Sequence, residues 1–132
     1  MKKTVSKICS RGISMLPLIS PDALVQIDFS IKKYTIGDIV VFFHNQQLLI
    51  HRIIAISTHN KFLIKGDNNL YTDGFLKKKA LLGKVVAVKN ADRFISITRT
   101  PYKQLQYVML TYSFAKLLVG KLLKTTRQCH RQ

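Results

Sequence analysis

Asp38-Ile39-Val40-Val41-Phe42-Phe43-His44, the polar connection His44-Asn45-Gln46-Gln47, and the return from Leu48 to Ser57 through Ile50-His51-Arg52-Ile53-Ile54 decide the fold class. The first run is β-branched and aromatic, too short for a helix of ordinary length, and bounded by turn formers. It reads as a buried strand. The second reads as its partner across a hairpin loop. Working outward, Ala23-Leu24-Val25-Gln26-Ile27-Asp28 is a further short strand, and Tyr34-Thr35-Ile36-Gly37 is the turn that leads into the hairpin. Thr58-His59-Asn60 turns into Lys61-Phe62-Leu63-Ile64-Lys65, again strand-like. Residues from Gly66 to Gly74 are rich in Asp, Asn and Gly, a composition that favours a loop with special backbone angles. Gly83 to Val88 and Arg93 to Thr98 read as two more strands, joined through Asn90-Ala91-Asp92. The expectation is a mainly β domain. No internal repeat or low-complexity segment interrupts it.

Pro101 changes the pattern. From Tyr102 to Lys124 the chain is rich in Leu, Met, Ala, Lys and Gln, which suits a helix that begins near a proline. At about 100° per residue, Lys103, Gln106, Ser113, Lys116, Gly120, Lys121 and Lys124 fall on one side. Tyr107, Val108, Phe114, Ala115, Leu118, Val119 and Leu122 fall on the other, with Leu110 and Leu117 straying into the polar side. Two uses fit such a segment: packing on the domain or on a second copy, and lying at an anionic membrane surface through residues 102–124. The expected organisation is a β domain over residues 1–100 with a basic helical extension over 101–132.

Composition bounds the partners. The chain has 132 residues, 47% of them hydrophobic, enough for one domain with a packed core. Its 22 Lys and Arg against 6 acids, all Asp, give a net charge of +16, which favours anionic surfaces. The aromatics lie mainly inside apolar runs rather than interleaved with Lys and Arg, which argues against a nucleic-acid stacking platform. Cys9 and Cys129 have no metal-ligand spacing around them and read as free thiols. The four histidines, His44, His51, His59 and His130, have no Cys partner at zinc spacing, so neither metal nor cofactor is expected. Ser6, Lys7 and Arg11 interrupt any secretory leader, and no run reaches the roughly 18 to 20 apolar residues of a spanning helix. The localisation expected is cytoplasmic or peripheral to a membrane.

The candidate chemistry lies in three stretches. Gly12-Ile13-Ser14-Met15-Leu16-Pro17 is a turn that exposes Ser14 and directs backbone N–H groups toward a developing oxyanion. His51 sits in the return strand among isoleucines, and an imidazole there is a candidate general base. By strand alternation Arg52 points to the opposite face, toward an Asp partner or the end of the sheet. Lys65-Gly66-Asp67-Asn68-Asn69-Leu70-Tyr71-Thr72-Asp73 offers two carboxylates, one to reach the imidazole and one to shape the loop. Serine, base and acid are the parts of a hydrolytic triad. Lys65 is a rival base, since a desolvated lysine also deprotonates serine.

Together these motifs resemble the type I signal peptidases, which share a fold with the self-cleaving SOS-repressor proteases. Ser14-Met15-x-Pro17 resembles the nucleophile box and Gly37-Asp38-Ile39-Val40-Val41-Phe42 the strand box that follows. His51-Arg52 falls where the bacterial branch carries Lys-Arg and the endoplasmic-reticulum and archaeal branch carries His-Arg. Lys65-Gly66-Asp67-Asn68-Asn69 with Asp73 resembles that same branch, and Gly83-Lys84-Val85 the closing strand. The likeness spans Gly12 to Val88 and implies a small signal-peptidase-like β-sheet domain. It assigns Ser14 as nucleophile, His51 as general base and Asp73 as orienting acid, with Asp67 as loop shaper or alternative acid.

Two departures stand out. Signal peptidases often carry a serine two residues before the nucleophile; here Gly12 stands there, which leaves the oxyanion hole to backbone amides, including that of Ser14. They also usually carry a span before the nucleophile, whereas the 13 residues ahead of Ser14 are basic. The resemblance therefore implies a serine endopeptidase that trims a leader, signal peptide or pre-protein. The alternatives are a catalytically inactive basic β module binding membrane or nucleic acid, and a repressor-type autoprotease fragment.

Overall fold

The computed structural model describes residues 5–90, 92–98 and 102–129. Its strands are β1 (Val5–Cys9), β2 (Leu24–Asp28), β3 (Ile39–His44), β4 (Gln47–Ile56), β5 (Lys61–Lys65), β6 (Gly74–Lys77), β7 (Leu81–Lys89) and β8 (Ile95–Ser96), followed by one helix, α1 (Tyr102–Cys129). They form a single antiparallel sheet in the order β1-β2-β7-β3-β4-β5-β6, with β8 added to β7. The protein is thus a small, mainly β domain with one C-terminal helix. The helix runs past Lys124, and only Ile95–Ser96 of the expected Arg93–Thr98 strand pairs. Pro101, the side chain of Cys129, and His130 lie outside the described residues; Cys9 is an exposed free thiol.

The β3–β4 hairpin is the centre of the sheet. Asn45 and Gln46 have φ of +49° and +64°, the left-handed pair of a two-residue turn whose twist matches that of the flanking strands. That turn sets the register, placing Val40 opposite His51 and Ile39 opposite Arg52. Ile39 to Phe42 are fully buried because β3 faces a core on both sides. Ile39 and Val41 join Met15, Ile19, Val25 and Val85 in one cluster. Val40 and Phe42 join Tyr34, Ile53, Phe62 and Ile64 in the other. Each such side chain withdrawn from water contributes about 1.5–3 kcal/mol, so this one strand ties the two halves together.

Helix α1 docks through its polar side. Met109, Ser113 and Gly120 are buried against the body, and the stray Leu110 and Leu117 are half-buried on the same side. Gly120 lies so close that a Cβ there would sit 2.6 Å from the carbonyl oxygen of Leu70. The residues of the apolar side face outward.

Candidate active site

His51 is held in β4, 3% exposed, with its ring edge-on to Phe42 at a centroid separation of 5.9 Å. Its two nitrogens are both engaged. Nδ1 lies 2.6 Å from Asp73 Oδ2, and Nε2 lies 3.0 Å from Ser14 Oγ. A carboxylate is acceptor only, so Nδ1 carries the proton it shares with Asp73, and Nε2 is left to accept the serine hydroxyl proton. Three residues far apart in sequence are thereby joined in series.

The turn that carries Ser14 is clasped by the loop after β5. Gly12 opens it with φ of +79°, a conformation that favours glycine. The Ser14 carbonyl accepts from Asn68 N at 2.8 Å, and the Asn68 side-chain amide donates to the Ile13 carbonyl at 3.1 Å. Gly66 passes close beneath: a Cβ there would meet the Ser14 carbonyl oxygen at 2.9 Å. Among the described residues, no protein acceptor takes the Ser14 N–H. Asp73, for its part, is fixed where β6 begins, its N–H bonded to the Ile64 carbonyl at 2.8 Å.

The second carboxylate of the loop is spoken for. Asp67 accepts from Arg52 Nε at 2.8 Å and Nη2 at 2.7 Å, a bidentate pair with neither side chain exposed. Arg52 also donates to the Gly37 carbonyl at 2.7 Å and to Gln106 Oε1 of α1. Lys65 is equally buried. Its ammonium donates to the Gly66 carbonyl at 2.9 Å, the Asp67 carbonyl at 3.4 Å and Ser113 Oγ at 3.0 Å, and no bond runs from it to Ser14. Burial pulls its pKa down to about 8, against the opposing pull of Asp67.

Four residues that the sequence reading did not assign to the site complete it: Asn68, Gln106, Tyr112 and Ser113. Tyr112 Oη donates to Asn68 Oδ1 at 3.1 Å, so α1 is bonded to the residue that holds the Ser14 turn. A signal for the helix contacts was present in Arg52 and Lys65 themselves. Two cations at inward positions of adjacent strands need polar partners, and Gln106 and Ser113 supply them.

A small antiparallel sheet with a serine, a histidine and an aspartate in hydrogen-bonded series defines a serine-peptidase architecture. A profile of the family described as Peptidase S24-like matches residues 8–86, which contain Ser14, His51, Asp67 and Asp73, and the chain belongs to that family. Comparison with curated proteins gives no match. At the level of the family, then, the protein is of the serine-peptidase type.

Proposed function

We propose that the protein is a signal-peptidase-like serine endopeptidase of the Ser-His branch, which releases a signal peptide, leader or other pre-sequence from its substrate. The observation that carries this reading is the unbroken line Asp73 Oδ2–His51 Nδ1 at 2.6 Å and His51 Nε2–Ser14 Oγ at 3.0 Å. His51 takes the hydroxyl proton as Ser14 Oγ attacks the scissile carbonyl, and Asp73 steadies the imidazolium that forms. The Ser14 N–H faces the oxyanion, and Gly12 shapes the turn that presents it. Collapse to the acyl-enzyme breaks the C–N bond, with His51 passing its proton to the leaving amine. His51 then takes a proton from water, which attacks the ester and restores Ser14.

The substrate has a place to lie. The Gln47–His51 half of β4 is paired to β3 only, since its pairing with β5 starts at Arg52. Across from it runs β1, paired to β2 only. A cleft of about 380 Å³ is lined by Ile8, Cys9 and Ser10 from one strand and its exit, by Leu48 and Ile50 from the other, and by Ser14. An extended peptide added beside such free edges gains main-chain hydrogen bonds, with alternate side chains entering apolar pockets.

The test is cleavage of a pre-sequence peptide with small residues at the scissile bond. Ser14→Ala and His51→Ala should each lower the rate by a factor on the order of 10³ or more, and the double variant should be no worse than either alone. Undiminished cleavage by either single variant overturns the mechanism.

A further inference from the structure

Helix α1 is inside out for a surface helix. Amphipathic helices normally turn their apolar stripe to the core and their polar face to water. Here Gln106 and Ser113 face inward to bond Arg52 and Lys65, while Tyr112 reaches Asn68. The outer face carries Tyr107, Val108, Phe114, Leu118, Val119 and Leu122, of which Tyr107, Val108, Leu118 and Leu122 are 60–65% exposed. At about 100° per residue this stripe is centred opposite the buried Ser113 and Gly120. A contiguous apolar strip along several turns marks a docking surface rather than scattered exposed hydrophobics.

The charge says what docks there. The helix sequence contains Lys103, Lys116, Lys121, Lys124 and Arg127 and no acid, in a chain of net charge +16. Lys116 is held beside the Tyr112 ring and Lys124 beside the Tyr71 ring, at 5.9 and 4.6 Å from the ring centroids. Exposed Lys121, which borders the stripe by helix spacing, would meet its counterpart on a second copy with no carboxylate on either helix to offset it. An anionic lipid surface meets both features, taking the stripe among its acyl chains and the cations at its headgroups. We infer that the outer face of α1 is a docking surface for an anionic bilayer, on which the domain lies with α1 in the interface. Because Tyr112 and Asn68 tie that helix to the Ser14 turn, adsorption holds the catalytic line at a fixed distance from the lipid. The inference does not depend on peptidase activity.

Co-sedimentation of the full chain with vesicles of phosphatidylcholine, with and without phosphatidylglycerol, tests it. Binding should require the anionic lipid and fall at least tenfold for the double variant Leu118→Glu/Leu122→Glu, whose exposed positions leave the thermal melt unchanged. The chain has no tryptophan, so Leu118→Trp supplies a single reporter whose emission should shift to the blue on anionic vesicles. Equal binding by the double variant, or an unshifted emission from Leu118→Trp, would mean that overall charge alone holds the protein there and would overturn the inference. A lipid-free dimer in sedimentation equilibrium that the double variant dissolves would overturn it in favour of a second copy.

Discussion

Arg52 holds Asp67 in a fork, Nε to Oδ1 at 2.8 Å and Nη2 to Oδ2 at 2.7 Å, with both side chains sealed from solvent. The pair divides the labour between two aspartates six residues apart. Asp67 neutralises a buried guanidinium, and Asp73, whose side chain is 16% exposed, meets the imidazole.

Substitution should separate the two. Asp67→Asn leaves Arg52 charged and underpaired in the interior, a change that costs about 3–5 kcal/mol and should show in urea unfolding. Asp73→Asn should leave the urea midpoint nearly unchanged. It should instead lower the cleavage rate by a factor on the order of 10⁴, because the imidazole loses the partner that fixes its tautomer. Full stability in Asp67→Asn, or a full cleavage rate in Asp73→Asn, would overturn this division of roles.

The hairpin was legible because Ile39–Phe42 is a run that both cores claim and Asn45 and Gln46 adopt the turn it needs. β1 and β6 were not legible. Both are edge strands held by backbone pairing, and the residues of Val5–Cys9 and Gly74–Lys77 are at most half-buried, so little periodicity is imposed on them. Ser14 and His51 could be picked out by residue type and order. The choice between Asp67 and Asp73 could not rest on residue type: it follows from the buried Arg52, which takes Asp67, and from the bond of the Asp73 N–H to the Ile64 carbonyl, which seats Asp73 beside His51. For α1 the two faces were readable, but not which one docks. That follows from Arg52 and Lys65, whose buried charges demand the polar face.

Gly66 packs tightly against the Ser14 turn. A methyl group there would lie 2.9 Å from the Ser14 carbonyl oxygen and 2.6 Å from Asn69 Nδ2. The Asn69 amide is a flexible end and can move, but the Ser14 backbone cannot move without carrying Oγ away from His51. Gly66→Ala should therefore fold and yet lose at least tenfold in turnover, since catalysis is sensitive to ångström displacements. Wild-type turnover would show that the turn relaxes independently of the hydroxyl.

Gly120 tests the seat of α1, and here two effects oppose. Alanine in a helix interior is favoured over glycine by about 1 kcal/mol. Against that, its Cβ would stand 2.6 Å from the Leu70 carbonyl oxygen and 3.1 Å from Leu70 Cβ, and overpacking of this kind costs about 1–3 kcal/mol. The clash is with backbone, so it should win. Gly120→Ala should lower the melting temperature, whereas a rise would mean that the helix sits more loosely than its contacts imply.

Lys65 sets a pH signature with a definite sign. Burial lowers its pKa from the ordinary 10.5 to about 8, while the unfolded chain keeps the ordinary value. Below about pH 8 the side chain is charged in both states and the slope of stability with pH from this group is zero. Between about 8 and 10.5 the folded protein has released a proton that the unfolded chain still holds, so unfolding takes up a proton and stability rises with pH. Above 10.5 the contribution is flat again. Tyr34, whose pKa is raised by burial and by Asp38, acts in the opposite sense, but only above its ordinary 10.0. Subtracting the profile of Lys65→Met from that of the wild type isolates the lysine. The difference in unfolding free energy should climb in favour of the wild type from about pH 8 to about pH 10. A flat difference would mean that the bonds to Gly66, Asp67 and Ser113 hold the ammonium charged through that range, and that burial does not govern its titration.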